Sequence, residues 1–216
     1  MDTDDFLLTL VHDLRAYVRT SLAGVQLIER SLGEGVESAV RQRFESVIGA
    51  NKEMDRFLSR LSDYAGSASL RKGRTLPLVA AIQSAALQFP PRTIDLTQVE
   101  SVETATMVPQ EAIRLFAELI DNAFKFSNNG PVKIHLSEEV GSTQVTIQDS
   151  GIGIRPGEEE RVFGLLVRLH SNDDYQGFGL GLPICRRIAH LMDAHVGIAG
   201  NPTGGTIATV TIRSEN

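Results

Sequence analysis

Apolar residues at Leu7, Val11, Leu14, Val18, Val25, Ile28 and Leu32 follow a 4-3-4 spacing, interrupted only where Ser21 takes a seam position. A chain that repeats in this way has little freedom. The helical period puts those side chains on one stripe, so the segment folds as a long helix that must press the stripe against another. Gly33, Glu34 and Gly35 stop it, and a second stripe follows at Val40, Phe44, Val47, Met54, Leu58 and Leu61, with Asn51 in the seam. The two segments read as a helical hairpin joined by a short glycine-containing turn. Two helices alone bury too little of such stripes, so pairing of two hairpins into a four-helix bundle, and hence a homodimer, is the expected arrangement.

The pattern changes after Ala65. Gly66, Ser67, Ser69 and Gly73, mixed with basic residues, read as a linker, which divides the chain into a hairpin over 1–68 and a second domain over 74–216. The second domain alternates types: a helical run over 78–88, a strand-like TIDLTQV, a helix over 110–126, strands VKIHLS and TQVTIQD around the turn EEVGS, and a final strand TIATVTI. This order predicts an α+β fold, with one sheet carrying helices on one face.

Charge and cysteine usage narrow the function classes. The formal net charge of -6 argues against a nucleic-acid binder that relies on general phosphate neutralisation. Cys185, the single cysteine, lies in an apolar run and reads as a small core residue in a reducing compartment. No apolar run approaches the length of a membrane helix, and the start MDTDD lacks the basic region of a signal peptide, so a cytoplasmic chain without a membrane segment is expected.

Four stretches have the residue types for chemistry. In ELIDNAFKF, Glu118, Asn122 and Lys125 fall at i, i+4 and i+7 and share one helix face. There Asn122 can offer a carbonyl oxygen to Mg²⁺ and Lys125 a charge to a phosphate, although a merely solvated face has the same pattern. In QDSGIGI, Asp149 ends a strand, and Gly151 and Gly153 allow the backbone close to a flat ligand. The carboxylate can accept a hydrogen bond from an exocyclic amine such as that of adenine, while a plain tight turn explains the glycines equally well. GFGLGL places Gly177, Gly179, Leu180 and Gly181 just before a helix, where backbone N–H groups and the helix dipole favour an anion. It matches neither the dinucleotide-binding nor the P-loop pattern. His12 lies one step off the first seam, facing solvent, with Asp13 beside it to orient the ring. HLMDAH brings His190, Asp193 and His195 close in sequence, but their spacing does not give one helical face for a metal.

Taken in order, these stretches resemble the catalytic core of a bacterial sensor histidine kinase: a dimerisation and histidine-phosphotransfer hairpin, then a GHKL-type ATP-binding domain. HDLRA is similar to the H-box, ELIDNAFKF to the N-box, DSGIGI to the G1-box, RVFGLL to the F-box and GFGLGL to the G2-box. RLHSNDDYQGFGLGLPICRRI is similar in particular to kinases related to bacterial phytochromes. The resemblance implies that His12 attacks the γ-phosphate of ATP, that Asp13 orients and deprotonates it, and that an aspartate of a response-regulator receiver domain takes the phosphoryl group. It implies that Asn122 binds Mg²⁺ with Glu118 nearby, that Lys125 contacts phosphate, and that Asp149 holds the adenine amine in a pocket shaped by Gly151 and Gly153. Gly177, Gly179, Leu180 and Gly181 then form a lid over the phosphates, anchored by Phe163, with the segment 66–73 as a hinge.

Arg161 and Arg168 are phosphate neighbours in this scheme, or else ion-pair partners of Glu158 to Glu160 or of Asp173 and Asp174. Tyr17 stands where the H-box usually has proline, which bears on the bend after the histidine. Ala16 replaces the polar residue that helps relatives dephosphorylate their regulator, so weak phosphatase activity is expected. Leu166 is expected to pack where relatives often carry a second aromatic ring. Phe178 is bulkier than the residue common in relatives, which bears on lid closure. An upstream sensor domain or sensor protein is implied. Two alternatives remain at this level: a phosphotransfer relay whose ATPase-like domain is degenerate, and a nucleotide-dependent regulator without catalysis.

Overall fold

The first stripe forms α1 (Thr3–Leu32), which opens with Asp4 and Asp5 and ends near Arg30, charges that suit the two ends of the helix dipole. The second forms α2 (Ser38–Gly66). The computed structural model describes residues 3–32, 37–66, 76–89, 94–98, 106–127, 130–170, 175 and 177–213. The turn residues Gly33, Glu34 and Gly35, the hinge residues beyond Gly66, and Asp173 and Asp174 lie outside them. Two compact units result, Met1–Gly66 and Ser67–Asn216.

Among the described residues of the first unit, only Val11, on α1, and Leu58, Leu61 and Ala65, on α2, are buried. A polar clasp joins the helices beside them: Arg15 Nη2 donates to Ser59 Oγ at 3.0 Å, and Arg15 Nε lies 3.5 Å from Asp55 Oδ1. Full burial of a Val or Leu contributes about 1.5–3 kcal/mol, so one hairpin gains little from so short a dry stretch. Leu14, Ile28, Leu32, Val40, Val47 and Met54 stay exposed, so about half of each stripe lacks cover in a single chain. α1 runs unbroken past Ala16 and Tyr17, and Tyr17 is exposed.

The second unit is an α+β sandwich, as the sequence leads one to expect. Its main sheet contains β2 (Ile94–Gln98), β4 (Val132–Glu139), β5 (Ser142–Gln148), β6 (Ala194–Gly200) and β7 (Thr206–Arg213), in the order β2-β4-β5-β7-β6. β2 pairs with β4 in parallel, and the other neighbours are antiparallel. A two-stranded ribbon of β1 (Leu76–Pro77) and β3 (Thr106–Met107) stands apart. Alternation decides which face is covered: Val132, Ile134, Leu136, Val145, Ile147, Ala208, Val210 and Ile212 are buried, with more accessible residues between them. Over that face lie α3 (Leu78–Ala86), α4 (Pro109–Phe126) and α5 (Gly181–Leu191). α4 begins with proline at its first position, where no N–H is needed, and buries Leu115, Phe116, Leu119 and Ile120. Cys185 is buried in α5.

Candidate functional site

α4 buries its apolar stripe, while Glu118, Asn122 and Lys125 are half-buried on another side, and Phe126 at its end packs on Gly151, just past β5. The GFGLGL loop closes against the same three residues. A Cβ placed on Gly181 would lie 3.1 Å from Glu118 Oε2 and 3.5 Å from Asn122 Nδ2, and one placed on Gly177 would strike Lys125 Nζ. Gly179 adopts φ +68 and packs so tightly on the backbone of Leu166 and Val167 that a Cβ would stand 2.5 Å from the Val167 carbonyl oxygen. Leu180 is buried and leads into α5. Residues 52 or more positions apart in sequence are therefore brought together here.

Asp149, which is 6% exposed, follows directly on β5. Its Oδ1 accepts from the Gly151 N–H at 2.7 Å and from the Thr206 N–H at 3.1 Å. Burial pushes the carboxyl above its ordinary value, against the pull of those donors from Gly151 and Thr206. The Thr206 side chain also hydrogen-bonds the carboxylate. Gly151 lies flat on the Phe126 carbonyl, which also accepts from Ile152 N–H at 3.2 Å, and Gly153 lies against Gly205. Gly205 is the residue that sequence reading missed. It has φ +93, and a Cβ there would strike the Asp149 carbonyl oxygen. Gly205→Ala is expected to cost about 2–4 kcal/mol through strain and displacement of Asp149, read as a drop in the thermal midpoint of unfolding.

Two aromatic contacts frame the pocket. Phe126 meets Tyr175 at 4.9 Å and His170 at 6.1 Å between centroids, with Lys125 Nζ 5.2 Å from the Phe126 ring. Phe163 is buried in a single helical turn, Arg161–Phe163. Arg168 donates to the Tyr175 carbonyl at 3.0 Å, and Arg161 pairs with Glu158 at 2.9 Å. For Arg161 the ion-pair alternative is thus the observed contact. Leu166 is a correction: it is 48% exposed at φ +61, held by its N–H to the Gly179 carbonyl, and does not fill the place of a buried ring.

The polar groups fit the phosphates of a nucleotide, since an unpartnered amide N–H suits an anionic oxygen. Asn122 Nδ2 is buried with no hydrogen-bond partner among the described residues, an arrangement that is costly unless a ligand meets the amide. Among the described residues no three of His, Cys, Asp and Glu gather as a metal cage. A single amide oxygen beside a phosphate cradle is the kind of site Mg²⁺ takes when phosphates and water complete its shell. His12 and Asp13 are on the first unit. His12 is 85% exposed, and its Nδ1 lies 3.2 Å from Asp13 Oδ1.

Comparison with known proteins agrees with this geometry. Residues 107–216 match the family described as histidine kinase-, DNA gyrase B-, and HSP90-like ATPase. The chain is 30% identical over 207 residues to the adaptive-response sensory kinase SasA of Synechococcus sp. (strain JA-3-3Ab), covering 90% of this chain and 54% of that protein. It is 27% identical over 224 residues to the histidine protein kinase SaeS of Staphylococcus aureus (strain USA300), covering 96% and 63%. The chain thus spans a little over half of the length of these relatives. Among solved structures, full-length ShkA in complex with AMPPNP superposes with a TM-score of 0.73 at 19% identity, over 99% of this chain and 47% of that one. The Acinetobacter baumannii histidine kinase AdeS gives 0.57 at 19% identity, over 95% and 98%. No helix among the described residues is long and apolar enough to cross a membrane. The chain belongs to the histidine kinase-, DNA gyrase B- and HSP90-like ATPase family, and its helical pair followed by the ATPase unit is the build of a histidine-kinase catalytic core.

Proposed function

We propose that the chain is the ATP-dependent autokinase of a two-component system, which phosphorylates His12 and passes the phosphoryl group to an aspartate of a response-regulator receiver domain. The observation that supports this reading is the packing of the Gly177 to Gly181 loop on Glu118, Asn122 and Lys125, with Gly151, which donates to Asp149, seated on the Phe126 carbonyl at the end of the same helix. ATP is the substrate, with the adenine amine on Asp149, the triphosphate between Lys125 and the glycine loop, and Mg²⁺ held by Asn122 Oδ1. The cation would neutralise phosphate charge as the transfer proceeds.

The first unit supplies the nucleophile. With the Nδ1 proton donated to Asp13, Nε2 keeps its lone pair and is free to attack. A bond forms from Nε2 to the γ-phosphorus as the bond to the β,γ-bridging oxygen breaks, and ADP departs with that electron pair. The Nδ1 proton moves toward the Asp13 carboxylate, which stabilises the ring while it is positive. Positioning and charge supply the rate, since little covalent work falls to the protein.

The uncovered stripes of α1 and α2 support a homodimer. Analytical ultracentrifugation at tens of micromolar is expected to give twice the 23.5 kDa chain mass, and a monomer at that concentration would refute the pairing. Signal input from a sensor domain or sensor protein and a cytoplasmic location complete the reading. Incubation with γ-labelled ATP and Mg²⁺ tests it: label stable to alkali and lost in acid marks a phosphohistidine, and no label on a chain that binds ATP would favour a regulator without catalysis.

A further inference from the structure

We propose that Arg186 is a positioning residue of the nucleotide site, its guanidinium laid on the Phe163 ring so that the 161–163 turn and the helix behind the glycine loop hold one arrangement. The inference rests on the nucleotide-site reading above. Arg186 Cζ lies 3.7 Å from the centroid of the Phe163 ring, and Arg186 Nη2 donates to Glu160 Oε2 at 2.8 Å. Gly164, just past the ring, packs so that a Cβ would stand 2.7 Å from Val167 Cγ2, and Val167 in turn supports Gly179. At its other end the same helix begins at Gly181, against Glu118 and Asn122. One rigid helix of 11 residues therefore carries the phosphate loop on its first residue and the clamp on its sixth.

Exposure decides which Arg186 contact matters. The Glu160 side chain is 82% exposed, and an ion pair so placed contributes little in water. The ring is buried, and a guanidinium flat against an aromatic face makes a stronger and more directional contact. When the ring is no longer clamped, the binding-competent arrangement is populated for only part of the time, and apparent nucleotide affinity falls by that fraction.

The test compares wild type, Arg186→Ala, Arg186→Lys and Glu160→Gln by titration with a fluorescent ATP analogue, and by KM and kcat for labelling of His12. Arg186→Ala is expected to weaken analogue binding and raise KM by about tenfold, with kcat retained. Arg186→Lys, which keeps a cation but loses the planar guanidinium, falls between wild type and Arg186→Ala. Glu160→Gln binds as wild type does. A lowered thermal midpoint in Arg186→Ala with unchanged nucleotide affinity would overturn the proposal, as would Glu160→Gln reproducing the alanine phenotype. Should Arg186→Ala not fold, Arg186→Gln, which loses the charge, is read in the same way. Failure of the wild type to bind any nucleotide would refute the nucleotide-site reading itself, a result distinct from those that concern Arg186.

Discussion

Replacing Asp149 by asparagine is expected to abolish ATP binding while leaving the ATPase unit at least as stable as before. Asn keeps an Oδ1 that accepts from the Gly151 and Thr206 N–H groups, so the turn after β5 retains its two hydrogen bonds. Oδ2 becomes an NH₂, which sets a donor against the adenine amine, itself a donor. A site built to pair a ligand N–H rejects a mismatched partner strongly, so the loss is at least about 100-fold in affinity. The stability side follows from the direction of the pKa. Burial raises Asp149 in the folded chain above its unfolded value. Its stabilising contribution is therefore complete below the unfolded carboxylate range and is lost as pH rises through the folded value. At neutral pH the buried carboxylate charge opposes folding, and the neutral amide removes that cost. The expected result is a thermal midpoint equal to wild type or higher, with no calorimetric signal for ATP. The same shift predicts that wild-type affinity falls on mild acidification, as Asp149 takes up a proton, at a higher pH than for an ordinary aspartate. A melting point well below wild type would show that the ionised carboxylate holds the fold together, contrary to this account.

The second large effect is expected at His12. His12→Gln removes the only nitrogen lone pair in the proposed transfer, so acid-labile label should vanish, at least about 10³-fold below wild type. Glutamine retains length and polarity at a position whose side chain is 85% exposed. The dimer and ATP binding should both survive. Mixing the variant with an Asn122→Ala chain then becomes informative: label on the Asn122→Ala chain means that each ATPase unit serves its partner's histidine, and no label means that it serves its own. Residual acid-labile phosphate on His12→Gln alone would place the nucleophile elsewhere.

The parts of the fold with strong periodicity were legible from sequence. The two stripes became α1 and α2, and VKIHLS, TQVTIQD and TIATVTI became β4, β5 and β7 with the expected alternation. β6 went unread because AHVGIAG is an edge strand with glycine and alanine where a buried strand would alternate, and only Val196 is fully covered. β1 and β3 have two residues each, too short for any period. In the candidate site, each quoted motif could be read only within its own segment. What no local pattern carried was the contact between them: Thr206 reaches Asp149 across 57 positions, and Arg186 finds Phe163 from a different element. The pair Gly204 and Gly205 ahead of TIATVTI was the available signal, since two adjacent glycines before a strand mark backbone that another segment approaches closely.

The hydrogen bond from Thr206 to Asp149 also sets a time order. The Asp149 carboxylate is fixed by the first residue of β7, so the segment up to Asp149 cannot hold it in place until residues 206–213 have been made and have zipped onto β5. Pairing over such a separation is slow compared with helix or hairpin formation. During synthesis, the chain therefore passes through a stage with its helices and the β4–β5 hairpin in place but with no nucleotide pocket, and ATP can stabilise only the finished sheet.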